Sequence, residues 1–221
     1  MELLDSFSLT LVSSNTVETA EIHRLQSPNE KLAIACKTQE EWSQFRTQIL
    51  NNNIIPYLDA LDESSALLLI QNHLGEDHHW DWQNKALQTY CNSSYDWFVL
   101  NTPHGIQGLL LTYHPTHSDV ESGNVFYIDF LASAPWNRET PSNQPRLRGV
   151  GSGLVISASK YYINALGYKP GFMLHSLPKA ENWYIALGMT DLGHDPDKQN
   201  LKKFEMPSKN CEHLITKRKA P

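Results

Sequence analysis

Cysteine is scarce in this chain of 221 residues, which contains only Cys36, Cys91 and Cys211. The three are far apart and odd in number, so they indicate neither a disulfide framework nor a Cys-x-x-Cys zinc site. The His-Glu-x-x-His spacing of metalloproteases is also absent from the sequence. We therefore expect no metal centre, and we expect the chain to work in a reducing, cytoplasmic setting.

A basic excess is missing as well. The chain has 18 Lys and Arg against 24 Asp and Glu, a formal net charge of -6. Nucleic-acid-binding proteins usually carry a basic face. The one basic run, Lys217-Arg218-Lys219, is typical of a solvated tail. We expect no nucleic-acid partner.

Long apolar runs and repeats are also lacking. No stretch approaches the ~20 apolar residues that a membrane-spanning helix needs. Met1-Glu2-Leu3-Leu4-Asp5 lacks the basic and apolar regions of a signal peptide, and we expect no membrane association. Neither a fixed-period repeat nor a Pro/Gly/Ser-rich linker divides the sequence. The chain is therefore predicted to form one α/β domain over residues 1–221 with an N-terminal extension.

The first third of the chain mixes strand and helix patterns. Phe7 to Val12, Thr19 to Leu25 and Lys31 to Lys37 are predicted as strands, with a turn at residues 27–30. Thr38 is the expected N-cap of a helix, with Glu41 completing a capping box. Two further helical segments are predicted within residues 56–69 and 79–90.

From Tyr95 onward the pattern becomes strand-rich. Strands are predicted at 96–100, 107–113 and 125–134, and the last of these is the most apolar and should be central. A glycine-rich turn then leads into a helix that Gly167 ends. Residues 172–176 read as a strand and residues 178–187 as a helix. Two short strands, near 190–192 and 203–206, complete the predicted sheet.

The glycine-rich turn, Arg148-Gly149-Val150-Gly151-Ser152-Gly153, is the clearest chemical feature. Glycines let a backbone approach a ligand closely, and free N–H groups at a helix start favour an anion. Arg146 and Arg148 can add charge-assisted bonds to phosphate. The turn therefore predicts a diphosphate cradle, although a plain tight entry into a buried helix stays an alternative. Neither a Walker A loop nor a Rossmann fingerprint fits its spacing.

Three segments in the same order resemble the GNAT (GCN5-related N-acetyltransferase) family. The turn from Arg148 to Leu154 is similar to that family's coenzyme loop, Arg/Gln-x-x-Gly-x-Gly/Ala. Residues 180–189, Ala-Glu-Asn-Trp-Tyr-Ile-Ala-Leu-Gly-Met, resemble its Phe-Tyr-containing helix and the turn after it. Residues 128–135 resemble its central strand. The resemblance covers about residues 95–206 and is weak before them.

The resemblance implies a fold and a co-substrate. The fold is α/β (α+β): a mixed, mainly antiparallel sheet with splayed central strands, flanked by helices. The co-substrate is acetyl-CoA, whose pantetheine arm would lie along the central strand and whose pyrophosphate would sit on the cradle. The residues implied for binding it are Leu131, Ala132, Ser133, Arg146, Arg148, Gly149, Val150, Gly151, Ser152 and Gly153.

The family's reaction, direct attack of an amine on the thioester, assigns roles to three side chains. Tyr184 would protonate the leaving thiolate, and a buried packing tyrosine is the alternative. Asp129 would take the amine proton; by strand alternation it should share a face with Leu131 and Ser133. His175, at the end of the next strand, is a second candidate base. For Asp129 and His175 a purely structural role stays open. The backbone N–H of Leu131 is the candidate for polarising the thioester carbonyl.

The acceptor is the open part of the prediction. A primary amine on a small molecule or a protein would serve, and a non-catalytic acyl-CoA-binding regulatory module is the alternative to an enzyme. The segment Asp77 to Trp82 could form an aromatic and acidic wall for the acceptor, or its tryptophans could simply pack a helix onto the sheet. The long loop Trp136 to Arg146 and the segment Ser176-Leu177-Pro178 depart from the family pattern. The oligomeric state is open, a homodimer included.

Overall fold

A computed structural model describes residues 1–217 of the chain. Within these residues the chain forms nine strands and seven α-helices, besides three short 3-10 helices. The strands are β1 (Glu2–Leu11), β2 (Val17–Leu25), β3 (Tyr95–Thr102), β4 (Gly105–His117), β5 (Asn124–Ser133), β6 (Leu147–Arg148), β7 (Phe172–Ser176), β8 (Thr190–Asp195) and β9 (Leu201–Met206). The helices are α1 (Pro28–Asn53), α2 (Ile55–Leu58), α3 (Glu63–Leu74), α4 (Trp82–Gln88), α5 (Val150–Leu166), α6 (Glu181–Ala186) and α7 (Ser208–Lys217). Arg218 and Lys219 of the basic run lie outside the described residues.

One sheet contains all nine strands, in the order β6-β1-β2-β3-β4-β5-β7-β9-β8. Within the described chain every neighbouring pair is antiparallel except β5 and β7, which run parallel. The predicted mixed, mainly antiparallel α/β fold is therefore confirmed. The N-terminal residues belong to this sheet, because β1 pairs with both β2 and β6.

The two central strands, β5 and β7, are paired over only part of their length. β5 pairs with β7 only from Phe126 to Ile128, opposite Phe172 to Leu174. Beyond Ile128, β5 continues to Ser133 along β4, while β7 continues along β9. A gap therefore opens between the two strands, and it is the splay that the resemblance implies.

A β-bulge lies where this gap begins. Ile128 pairs with Thr112 and Phe130 pairs with Leu111, so Asp129 is an extra residue on β5. Ile128 is part of the core beneath α5, and Leu131 packs against that same core. Phe130, in contrast, packs against the core on the opposite face. The simple alternation that grouped Asp129 with Leu131 and Ser133 therefore does not hold across the bulge.

The core on that opposite face is built from tryptophans. Trp42 of α1, Trp82 of α4 and Trp97 of β3 are fully buried. The Trp82 ring lies 5.9 Å from the rings of both Trp42 and Trp97, edge to face in each case. Such contacts fix the position of α4 against the sheet. The segment just before α4 is thereby held next to β5.

The prediction of a strand at residues 31–37 is wrong, because these residues lie inside α1. Ser27 caps this helix, and Ser27 and Glu30 form a reciprocal capping box. Pro28 occupies the first helical turn, where its missing N–H is tolerated. The segment that was interpreted as a turn is thus the start of a 26-residue helix, and Thr38 is an interior helical residue.

Candidate functional site

The start of α5 presents an uncapped helix terminus. Gly149, with φ of 88°, is its N-cap, and no side chain caps it. The first hydrogen bond at this end runs from the Gly153 N–H to the Gly149 carbonyl, at 2.8 Å. The N–H groups of Val150, Gly151 and Ser152 therefore have no partner within the helix. Such a terminus attracts anions.

Close packing places this terminus beside β5. Gly108 of β4 lies directly beneath α5, in contact distance of Val150. A Cβ atom on Gly151 would lie 4.0 Å from Leu131 Cδ2 and 4.0 Å from Ser133 Oγ. The bare backbone of Gly151 therefore faces the part of β5 that has no strand partner on its β7 side.

A cavity of about 570 Å³ lies between the start of α5 and β5. Its volume is within the usual range for small-molecule sites. Most of the residues predicted to bind the coenzyme line it together: Leu131, Ala132, Ser133, Arg148, Gly149, Val150, Gly151 and Ser152. Tyr184 lines it as well. We call this space the cradle cavity.

Two of the predicted binding residues lie elsewhere. Gly153 is buried, and its N–H is used by the Gly149 carbonyl. Arg146 lines a separate cavity, with its guanidinium 5.7 Å from the centre of the Trp136 ring. The structure therefore does not bring Arg146 into the cradle cavity, and Arg148 is the arginine of the turn that reaches it.

Arg138 is a residue of the site that the sequence patterns missed. Its Nε and Nη2 donate to the Ser133 carbonyl at 3.0 and 2.7 Å. It also forms a two-pronged ion pair with Asp77. Both residues line the cradle cavity. The long loop 136–146 carries this arginine, so the departure from the family pattern was the available signal.

The Asp77–Arg138 pair has an electrostatic consequence. Burial tends to raise the pKa of Asp77, but the charge and hydrogen bonds of Arg138 outweigh it, so that the pKa is lowered overall. The Ser133 carbonyl accepts both of its hydrogen bonds from Arg138. The Ala134 N–H donates to the Gln107 carbonyl of β4, so by alternation the backbone groups of Ala132 also point to β4. Leu131 is then the residue of β5 whose backbone remains for a ligand in the cradle cavity.

A second cavity, of about 550 Å³, opens on the other side of the gap. Asp129, His175 and Tyr127 line it, together with Trp80 and Lys85 of the segment around the start of α4. Four residues line both cavities: Leu131, Leu177, Ala180 and Tyr184. The two cavities therefore meet where β5 and β7 diverge.

Tyr184 is placed at this junction. It is 7% exposed, and its ring packs 4.9 Å from Trp183 and 6.0 Å from Phe204. Burial raises the pKa of its hydroxyl above the usual range. The phenol therefore stays protonated at neutral pH and can serve as a proton donor.

Asp129 is half-buried in the second cavity. Burial raises the pKa of its carboxyl, although the charges of Lys198 and Lys85 oppose that shift. A raised carboxyl pKa brings the group closer to the pH at which a general base is most effective.

His175 has partners at both ring nitrogens. Its Nε2 lies 3.0 Å from Asp195 Oδ2, and its Nδ1 lies 2.8 Å from the Tyr127 hydroxyl. Because a carboxylate only accepts, Nε2 donates to Asp195, and Nδ1 of the neutral ring accepts from Tyr127. Burial lowers the pKa of His175, against the raising influence of Asp195, which favours this neutral form.

The segment Asp77 to Trp82 divides between two roles. Trp82 is buried in the core and Asp77 binds Arg138, whereas His79, Trp80 and Asp81 line the second cavity. Residues 79–81 are thus the part of this segment that faces the second cavity, and a wall for the acceptor stays a prediction. In residues 1–217 no group of three His, Cys, Asp or Glu side chains is arranged to hold a metal ion. No helix in that part of the chain is long and apolar enough to cross a membrane.

Comparison with family models and with curated protein sequences finds no match. Many solved structures are similar to this chain, and three of them are described below. The PaiA N-acetyltransferase from Thermoplasma acidophilum, in complex with coenzyme A, is 13% identical over 84% of this chain and 97% of its own, with a TM-score of 0.47. FdhC, a nucleotide-linked sugar GNAT, is 9% identical over 96% of both chains, with a TM-score of 0.49. A mutant of the toxin AtaT, bound to the C-terminus of AtaR and acetyl-CoA, is 21% identical over 70% of this chain and 86% of its own, with a TM-score of 0.42.

All three TM-scores are below 0.5. The fold of the chain is therefore defined by its own sheet order and site geometry. The sheet order, the parting of β5 from β7 and the open start of α5 are the features that the resemblance implies. The architecture of the chain is therefore consistent with the fold that the resemblance implies.

Proposed function

We propose that this chain is an acetyl-CoA-dependent N-acetyltransferase of the GNAT family, which transfers the acetyl group directly to a primary amine. One observation carries the proposal: two cavities of similar size, about 570 and 550 Å³, meet at Leu131 and Tyr184. A direct transfer needs two substrates that enter separately and react at a shared boundary. This geometry supplies such a boundary.

The cradle cavity suits the coenzyme by its chemistry. Three partnerless N–H groups at the start of α5 and the side chain of Arg148 match a diphosphate. Gly151 leaves the approach to them open, since a side chain there would project between α5 and β5. The backbone of Leu131 would hold the pantetheine arm, with Ala132 lining the cavity beside it.

The reaction follows from the groups at the junction. Asp129 takes a proton from the acceptor ammonium, directly or through water, and the free amine attacks the thioester carbonyl. The N–H of Leu131 stabilises the oxyanion that develops. As the new C–N bond forms and the C–S bond breaks, Tyr184 donates its proton to the leaving thiolate. The second proton of the attacking nitrogen, which is released as the amide forms, restores the Tyr184 phenol, and the proton on Asp129 passes to solvent. The products are an amide and free coenzyme A.

His175 is assigned a positioning role in this scheme. Its two ring nitrogens are already used by Asp195 and Tyr127, so a substrate amine would have to displace one of them. We assign it to holding the Tyr127 hydroxyl at the edge of the second cavity. Asp129 is then the base.

The proposal extends to the organisation of the chain. It treats residues 1–221 as one domain, which the pairing of β1 and β2 with the rest of the sheet supports. It includes a cytoplasmic location, which the free state of Cys36, Cys91 and Cys211 supports.

Two measurements on the purified protein test the proposal. Isothermal titration with acetyl-CoA should show binding, and free-thiol release over a panel of primary amines should show turnover. Binding without turnover on any amine would favour the alternative, a non-catalytic acyl-CoA-binding regulatory module. Absence of binding would refute both.

A further inference from the structure

Lys85 of α4 presents an unusual cation to the second cavity. Its Nζ lies 3.2 Å from the centre of the Phe130 ring and 5.4 Å from that of Trp80. The side chain is half-buried. Within residues 1–217 no carboxylate lies within 4 Å of it as an ion-pair partner. Lys85 is therefore a partly desolvated ammonium held mainly by aromatic rings.

This arrangement changes what the aromatic wall can recognise. An aromatic face binds a ligand's ammonium by attraction to the ring. Here the chain's own ammonium already covers Phe130 and stands near Trp80. The wall is consequently positive toward the cavity, and it is suited to a negative group of the ligand.

The other charges that line the cavity are of both signs. Asp129 lines the second cavity two residues before Leu131, which lines both cavities, and both Lys85 and Lys198 act on its carboxyl. Two more carboxylates, Asp81 and Asp197, line the cavity but are exposed. Asp81 is engaged as the N-cap of α4, accepting from the Asn84 N–H at 2.9 Å. Asp129 is thus the inner negative site, and Lys85 and Lys198 are the positive ones.

We propose that the acceptor carries an anionic group, a carboxylate or a phosphate, besides its primary amine, and that Lys85 binds this group with help from Lys198. The amine would then lie at Asp129, beside the junction. The inference depends on the proposed function, because it assumes that the second cavity takes the acceptor. It narrows the acceptor from any primary amine to an amine with an acidic substituent.

The test uses matched amines that differ only in the acidic group. Ethanolamine is compared with phosphoethanolamine, and butylamine with 4-aminobutyrate, by thiol release with saturating acetyl-CoA. The wild type should give kcat/KM at least tenfold higher for one acidic member than for its neutral partner. Which pair shows the preference distinguishes phosphate from carboxylate.

Variants of Lys85 assign the preference to its charge. Lys85→Met keeps the apolar stem, and it should reduce the preference, taken as the ratio of kcat/KM within each pair, to less than about twofold. Lys85→Arg should retain the preference. Lys209→Met, an exposed lysine of α7 outside the cavity, is the matched control and should behave as the wild type. Circular dichroism verifies that each variant is folded.

A binding measurement separates this inference from the proposed function. Calorimetric titration of the same amines into the complex with coenzyme A requires no turnover, and the acidic member should bind more tightly in the wild type but not in Lys85→Met. Equal affinity within both pairs, or a preference that survives Lys85→Met, overturns the inference. If the acidic amines bind preferentially but none is acetylated, the inference stands and the proposed activity fails.

Discussion

Gly108 of β4 and Val150 of α5 approach so closely that a Cβ atom on Gly108 would lie 2.6 Å from Val150 Cγ1. The Cβ atom added to Gly108 would also lie 2.9 Å from Leu154 Cδ1. Real Cβ atoms do not sit this close to other carbons, so only glycine allows α5 to pack at this depth. The position of the start of α5 against β5 therefore depends on Gly108, which lies in the neighbouring strand β4.

Gly108→Ala should destabilise the protein by about 1–3 kcal/mol, the usual cost of overpacking a core. Urea unfolding monitored by circular dichroism measures the change. Gly151→Ala is the matched control, since its Cβ would meet nothing closer than 4.0 Å, and it should lose no stability. Equal stability of both variants would contradict the packing argument.

Gly151→Asp should abolish coenzyme binding, because a carboxylate would stand against the expected diphosphate at the start of α5. Gly151→Ala adds bulk without charge and should weaken binding less. Titration calorimetry with acetyl-CoA ranks the three proteins. An affinity of Gly151→Asp equal to that of the wild type would refute the cradle assignment.

Tyr184→Phe should lower kcat by about a hundredfold, within the range for loss of a general acid. Coenzyme affinity should stay within about twofold, since only the hydroxyl is removed. Single-turnover thiol release gives the rate and calorimetry gives the affinity. Tyr57→Phe, at an exposed position of α2, is the control. Unchanged turnover in Tyr184→Phe would leave this residue a purely structural role.

The pH dependence should report on Asp129. A base works only when deprotonated, so kcat/KM should fall as the pH drops through the pKa of this carboxyl. Burial raises that pKa, and the fall should be centred above the ordinary value of about 3.9 for aspartate. Asp129→Asn should remove this limb along with most of the activity. If kcat/KM of Asp129→Asn still falls at low pH as in the wild type, another titratable group causes the fall and Asp129 is not the base.

The same substitution has a predictable effect on stability. A carboxyl whose pKa is raised by folding favours the folded state below its unfolded pKa, and this contribution is lost as the pH rises through the folded value. At pH 7 the charged Asp129 is therefore a cost to folding. Asp129→Asn should be at least as stable as the wild type at that pH, in contrast to its loss of activity. Thermal unfolding at pH 7 provides the comparison.

Asp77→Asn should destabilise the protein by about 3 kcal/mol, because it leaves Arg138 and the buried Arg46 without a nearby negative charge. The pKa of Asp77 is lowered on folding, so its contribution is present above the unfolded value of about 3.9 and is lost as the pH falls. Urea unfolding at pH 7 and pH 4 gives the free energy of unfolding at each pH. The difference between the two values should be smaller in Asp77→Asn than in the wild type. Asp59→Asn, at an exposed site, should match the wild type.

The second half of the fold could be predicted from the sequence because its signals are local. Arg148 to Gly153 combine glycine spacing with the start of an apolar helix, and the helix that bears Tyr184 follows one strand later. The apolar run of β5 predicts a strand in the interior of the sheet, and β5 lies between β4 and β7. These features agree with one another, and the expected architecture followed from them.

Other features depend on contacts between distant residues. Lys31 to Lys37 form a short apolar run that suits strand or helix equally, and the capping box of Ser27 and Glu30 decides for helix. The bulge at Asp129 appears only when β4 and β5 are paired. Lys85 is an ordinary helical lysine until α4 packs beside Phe130. Sequence patterns do not record these long-range neighbours.

The pairing of β1 with β6 joins two segments that are far apart in the chain, and the second of them directly precedes the cradle. Thr10 pairs with Arg148, and Leu11 with Leu147. During synthesis β6 follows β1 by most of the chain, so the proposed coenzyme site takes its final shape only after these two strands have paired. Acetyl-CoA would then bind the completed fold and not its precursors, and an excess over Kd would draw nascent chains toward the native state.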